Sequence, residues 1–288
     1  MRLPDAWEES LRDLDDRLAL QGSRSRALAP ASRAGYVRDC RRVATWLAER
    51  GVAAPPDITP SMLEAALRDI GWAPATRRRA LTALRDWLQP YFARGRSPAA
   101  LIEAPRPERT PIPRLSQDDA AALADSAARA VVEAPPRSTA RALALRDRAV
   151  IEVLYGSGLR RQETCDLVLS SLDFEHETLA VVGKGGYSRT VPMTEPCVDA
   201  LRDWLDEGRP RLAAMSGFTA ASRARVFLSR SGAPLDGATV YRVVNRALTA
   251  LGRTGGPHLL RHAAATHLLE GPGGTGGAHL RVVQEFLG

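Results

Sequence analysis

Lysine is all but missing from this chain of 288 residues: of 40 basic side chains only Lys184 is a lysine, and the rest are arginine. Arginine keeps its proton at any working pH, so the chain has a single side-chain ammonium that its surroundings could tune into a proton donor. Cysteine is scarce as well. Cys40, Cys165 and Cys197 are odd in number and widely spaced, which argues against a disulfide framework or a zinc cluster and predicts free thiols. No apolar run is long enough to cross a bilayer, and the opening MRLPDAWEESLRDLDD is acidic and polar where a secretory signal is basic and then apolar. A cytoplasmic protein with no membrane partner is expected. Internal repeats and low-complexity tracts are also missing.

What is present is a hydrophobic fraction of 44%, enough for packed cores, and a net charge of +7 with a pI near 10. Arginines that neutralise phosphates release condensed counterions, so such a charge favours a polyanionic partner. Residues 71–96 concentrate it: Arg77, Arg78, Arg79, Arg85, Arg94 and Arg96 face one acid, Asp86. Arg77, Arg78 and Arg79 open a helix in ATRRRALTALRDWLQPYFARG, where either a DNA backbone or plain solvent would suit them. Arg33 joins them as a candidate DNA contact.

Residues 1–100 read as helices only, with apolar positions at helical spacing in SLRDLDDRLAL, SRAGYVRDCRRVATWLAE and SMLEAALRDI. Ser32 and Thr59 are candidate caps, and Gly51 closes a helix. The proline-rich run SPAALIEAPRPERTPIPR places a linker at 101–114. A second domain, 115–288, opens on Ser116 as an N-cap followed by acids. Its one convincing β region is a hairpin of TLAVVG and SRTVPM around Lys-Gly-Gly-Tyr. The chain is therefore expected to be mainly α, of the α+β kind: an all-helical N-terminal domain, then a mixed domain with a small antiparallel sheet.

Lys184 sits in that hairpin turn, as a proton donor or as an incidental surface lysine. In GGPHLLRHAAATHLLE a helix starts at Pro257 and sets His258, Arg261 and His262 on one face. A histidine and an arginine fork at a helix N-terminus suit a phosphate oxyanion. Zinc is the other use of paired histidines, but Leu259 stands where an H-E-x-x-H motif needs glutamate. His267 reads as structural, and Tyr241, in ATVYRVVNRAL, as a core-side residue. In LYGSGLRRQETCDL, Arg160 falls at a helix start after a glycine bend, where it could hold an anion or merely pair with Glu163.

In the order arginine, hairpin lysine, His-x-x-Arg, the chain resembles the tyrosine recombinase (phage integrase) family and, within it, the Xer-type bacterial recombinases. LYGSGLRRQET is similar to the family's first arginine box, VVGKGGYSRTVPM to its lysine hairpin and HLLRHAAATHLLE to its second box. The N-terminal helices resemble its SAM-like core-binding domain, which with a catalytic domain of the DNA-breaking-rejoining type clamps duplex DNA. The resemblance implies that Arg160 and Arg261 hold the scissile phosphate, His258 assists, and Lys184 protonates the departing 5′ oxygen. It also implies a tyrosine nucleophile forming a 3′-phosphotyrosyl link, with no metal and no cofactor. The partners implied are a double-stranded recombination site and a homo- or hetero-tetramer working through a Holliday junction, in DNA integration or chromosome dimer resolution.

The sequence departs from the family pattern at VVQEFLG. It ends at Gly288, where the family continues to a histidine or tryptophan and then the tyrosine, so no nucleophile is assigned among its five tyrosines. A truncated sequence is the simplest expectation, and a recombinase-derived DNA-binding protein without cleavage activity is the alternative. The Xer-like N-terminal region argues against a type IB topoisomerase, and the lack of a carboxylate at motif spacing argues against a metal-dependent hydrolase.

Overall fold

A computed structural model describes residues 3–20, 28–106, 114–183, 186, 188–271 and 276–287. The chain divides into two compact units, Met1–Thr110 and Pro111–Gly288.

The first unit contains α1 (Asp5–Leu20), α2 (Pro30–Ala48), α3 (Pro60–Asp69), α4 (Pro74–Leu88) and the short α5 (Pro98–Leu101). Prolines open four of these helices, at positions where an N–H would have no intrahelical acceptor and a fixed φ is already helical. That preference corrects the expectation for Ser32: α2 starts two residues earlier on Pro30, with Ala29 as its cap. Thr59 does cap α3, accepting from the Met62 N–H at 3.3 Å. The fourth helix is also shorter than expected. It ends at Leu88 and passes into a 3-10 turn, Gln89–Tyr91, because Pro90 has no N–H with which to continue the α-helical hydrogen bonding.

The unit's core closes on Trp7 of α1 and Trp87 of α4, both fully buried, with ring centroids 5.8 Å apart. Trp87 Nε1 donates to Ser10 Oγ at 3.2 Å, so the indole's polar edge is satisfied inside the core. Ile102 packs into the same core, and Arg85 donates to the carbonyls of Ala99 and Ile102.

The second unit runs α6 (Gln117–Glu133), α7 (Thr139–Gly156), α8 (Arg161–Asp166), three strands, then α9 (Glu195–Asp203), α10 (Arg209–Ala213), α11 (Ala220–Ala224), α12 (Gly237–Ala250), α13 (Pro257–Glu270) and α14 (Leu280–Leu287). Ser116 caps α6 in a reciprocal box with Asp119. The strands β1 (Leu172–Asp173), β2 (Thr178–Val182) and β3 (Ser188–Pro192) form an antiparallel sheet in that order. β2 and β3 are the expected hairpin. β1 was not anticipated, since two residues cannot show an alternation, and it is held by pairing Leu172 with Leu179. The core is built around α7, with Trp204 stacked on Phe227 and its Nε1 donating to the Val226 carbonyl at 3.0 Å. Among the described residues no helix is long and apolar enough to cross a membrane.

Candidate functional site

The sequence around Arg160 builds an abrupt corner. α7 ends at Gly156, Gly158 turns the chain at φ +59°, and Arg160 becomes the N-cap residue of α8 with extended backbone. Glu163, three residues on, folds back: its carboxylate accepts the Arg160 backbone N–H at 2.8 Å and Arg160 Nη1 at 2.8 Å. Both readings of Arg160 from the sequence thus concern the same atoms. It pairs with Glu163 and also presents a partly exposed guanidinium, its side chain 33% accessible.

Arg261 arrives from another direction. It lies one turn into α13, where Pro257 sets the helix start and Gly256 the cap. Its Nη1 stands 3.9 Å from Glu163 Oε2 and donates to the Gly158 carbonyl, while Nη2 donates to the Leu287 carbonyl at 2.6 Å. Arg160 and Arg261, about a hundred positions apart in sequence, therefore converge on one carboxylate. Burial, followed by the neighbouring Arg160 charge, lowers the Arg261 pKa to about 10, against the pull of Glu163, so it stays cationic at neutral pH.

His258 is exposed in the first turn of α13, a turn before Arg261, and His262 is exposed as well. His267 is fixed as a support: its Nε2 donates to the Leu115 carbonyl at 2.9 Å, which leaves Nδ1 to accept from the Tyr155 hydroxyl at 2.9 Å. Lys184 lies outside the described residues, between β2 and β3 in sequence. Tyr241 is corrected: 46% of it is exposed, and its ring lies over Gly256, where a Cβ would come within 2.7 Å of Cε2.

Sequence reasoning missed Arg189. It lies on β3 opposite Val181 and on the same face as the buried Val191. Its Nη1 and Nη2 donate to the two oxygens of Glu163 at 2.9 and 2.8 Å. The available signal was the strand's period of two, which turns position 189 inward with 191, where an arginine needs a buried acid. Burial raises the Glu163 pKa, but the bonds from Arg189 and Arg160 outweigh it and bring the carboxyl down to about 2.

In the first unit, the candidate contacts are partly engaged within the fold. Arg79 binds Asp39 through two bonds of 2.9 and 3.0 Å, Arg78 donates twice to the Pro105 carbonyl, and Arg33 lies 3.6 Å from Asp15. Arg77 makes no such bond among the described residues, and its Nε is buried without a partner. The three cysteines are free and buried, and burial raises the thiol of Cys165 to about 11 and that of Cys197 to about 12. No grouping of acids, histidines and cysteines that could hold a metal ion occurs among the described residues.

The fold is thus a helical unit followed by a mixed unit in which three arginines converge on one buried carboxylate beside a small sheet. Comparison with known proteins makes this specific. Residues 114–288 match the phage integrase family. Tyrosine recombinase XerC of Mycobacterium leprae (strain TN) is 37% identical over 96% of this chain and 89% of its own length, and XerC of Mycobacterium tuberculosis (strain CDC 1551 / Oshkosh) is 37% identical over the same shares. Among solved structures, XerH site-specific recombinase bound to difH substrate aligns with a TM-score of 0.68 at 18% identity, covering 100% of this chain and 92% of that one. A lambda integrase dimer bound to a COC' core site aligns at 0.63 and 21% identity, over 98% and 94%. The chain belongs to the phage integrase family of tyrosine recombinases, enzymes that cleave and rejoin DNA at specific sites.

Proposed function

We propose that Arg160 and Arg261 grip the non-bridging oxygens of a scissile DNA phosphate, with His258 beside them at the start of α13. The observation that carries this is the convergence of the two guanidiniums on Glu163 from separate elements. Two fixed, permanently charged forks stabilise the charge that builds up as the phosphorus becomes pentacoordinate. Lys184 is the proton donor to the departing 5′ oxygen, a role that no arginine fills. A tyrosine nucleophile would retain the strand as a 3′-phosphotyrosyl link, conserving the phosphodiester's energy for rejoining.

The partner is a double-stranded recombination site, gripped by residues 115–288 together with the helical residues 1–100, with 101–114 between them. The assembly is a tetramer of recombinase subunits that passes through a Holliday junction. Relatives solved on DNA, the XerH and lambda integrase complexes, support a DNA-bound working state. The 37% identity to proteins named tyrosine recombinase XerC supports an Xer-type role, in chromosome dimer resolution or in DNA integration.

The test is covalent trapping by the full product of the gene on nicked suicide duplexes that it has selected from its own genomic DNA, with metal chelated. An adduct stable to denaturant is expected, lost by about a hundredfold or more in Arg160→Ala or Arg261→Ala. Binding without an adduct would make this a recombinase-derived DNA-binding protein. Cleavage that requires a divalent cation would overturn the arginine mechanism.

A further inference from the structure

Arg189 has no part in the phosphate grip proposed above, yet it is the most buried arginine of the cluster: its side chain is 12% exposed, against 13% for Arg261 and 33% for Arg160. Its two terminal nitrogens face Glu163, and its Nε points to the Phe286 carbonyl at 3.4 Å. The Glu163 side chain is only 5% exposed, so its negative charge must be answered from within the site. Three guanidiniums surround it, but only Arg189 spans both of its oxygens. Arg160 meets Oε1 with Nη1 and Oε2 with its backbone N–H, and the Arg261 guanidinium stands off at 3.9 Å.

We propose that Arg189 is a positioning residue for strand cleavage: by bonding both oxygens of Glu163 through its guanidinium it offsets that carboxylate's charge, so that the charges of Arg160 and Arg261 act on a bound phosphate. The proposal rests on the phosphate-holding roles assigned to those two arginines. Glu163 pins Arg160 by accepting its backbone N–H, which a glutamine oxygen in its place would still accept, and it also draws on that residue's guanidinium through its charge. The same carboxylate would compete with the substrate phosphate for both arginines. Arg189 resolves the conflict. With it, three positive charges meet one negative charge, and a phosphate enters a site with a positive surplus, reached from solvent mainly at Arg160, whose side chain is 33% exposed. Without it, Glu163 draws Arg160 and Arg261 inwards and cancels one of them, which weakens the hold on an anion in a poorly screened site by about tenfold or more.

This account makes a signed prediction that a merely structural role does not: deleting Glu163's charge should repair the loss of Arg189. The probe is inorganic phosphate titrated at low ionic strength into the 288-residue chain, followed through the arginine Nε–H resonances of Arg160 and Arg261, with thermal midpoints recorded for every variant. Phosphate should shift both resonances in the unsubstituted protein. R189M should bind about tenfold more weakly, R189K should stay within about threefold because the charge persists, and R189M/E163Q should return to within about threefold. R189M binding as tightly as the unsubstituted chain would overturn the proposal. So would a double variant as weak as R189M, because Arg189 would then contact phosphate itself or serve only the fold. If R189M does not fold, R189M/E163Q decides alone, since a tenfold loss in that charge-balanced variant contradicts the mechanism. Failure of phosphate to shift Arg160 or Arg261 in the unsubstituted protein would overturn the grip itself and the proposal with it.

Discussion

At Glu163 burial and charge pull in opposite directions, and charge wins. Burial favours the neutral acid, but hydrogen bonds from Arg189 and Arg160 hold the anion, and the pKa falls from an ordinary 4.5 to about 2. The folded state therefore binds a proton less readily than the unfolded chain. Its advantage is complete above pH 4.5 and drains away as pH falls towards 2. Thermal midpoints of the native protein and of Glu163→Gln should differ most at neutral pH, by about 3 kcal/mol in stability, and converge across that window. A constant gap down to pH 2 would mean that the carboxylate's charge is not what stabilises the fold. Arg160, His258 and Arg261 stood out in the sequence because each belongs to a short local pattern. Arg189 did not, since its partner lies 26 positions away and only the strand's alternation hinted at it. Tyr241 misled for the opposite reason: its spacing on α12 resembles that of a core residue, but it covers Gly256 from the surface side.

Between elements, the end of α14 packs closely against the glycine bend beside the site. Gly158 adopts φ +59°, and a Cβ there would stand 2.6 Å from Phe286 Cε1 and 3.1 Å from Cζ. Backbone conformation and space both call for glycine, while the same residue's carbonyl accepts from Arg261. Gly158→Ala should cost about 2 kcal/mol and loosen α14 in particular. Amide exchange across Leu280–Leu287 should accelerate, and the thermal midpoint should drop. Unchanged exchange would show that α14 is not seated by this contact. At this scale the sequence was legible wherever a residue type has one strong local use. Thr59 and Ser116 cap helices as expected, and the hairpin lies where alternation put it. It was less legible where signals competed, as at Pro30 against Ser32, or where the element was too short to show a period, as in β1.

For the molecule as a whole, a net charge of +7 overstates how much positive surface is available, because the fold itself uses many of its arginines. Arg79 illustrates the distinction. It holds Asp39, whose side chain is only 6% exposed, so removing it strands a buried carboxylate. Arg77, two positions earlier on α4, has no such acid, and its guanidinium remains the better candidate for a phosphate. Composition alone cannot separate the two, since the acid that claims Arg79 comes from α2 and becomes its neighbour only on folding. The contrast yields opposite outcomes for two substitutions only two positions apart. Arg79→Gln should lower the thermal midpoint, at a cost of about 1–3 kcal/mol, and weaken DNA binding mainly through that loss. Arg77→Gln should leave the midpoint within about half a kcal/mol and reduce the slope of log affinity against log salt by about 0.9, equally on unrelated duplex sequences. Calorimetry and salt-series binding on two unrelated duplexes check both. If instead Arg79→Gln alone flattens the salt slope while stability holds, the phosphate contact belongs to Arg79 and its bond to Asp39 opens on DNA. If neither substitution changes the slope, the N-terminal charge that meets DNA lies elsewhere on the first unit, with Arg94 and Arg96 as the next exposed arginines to test.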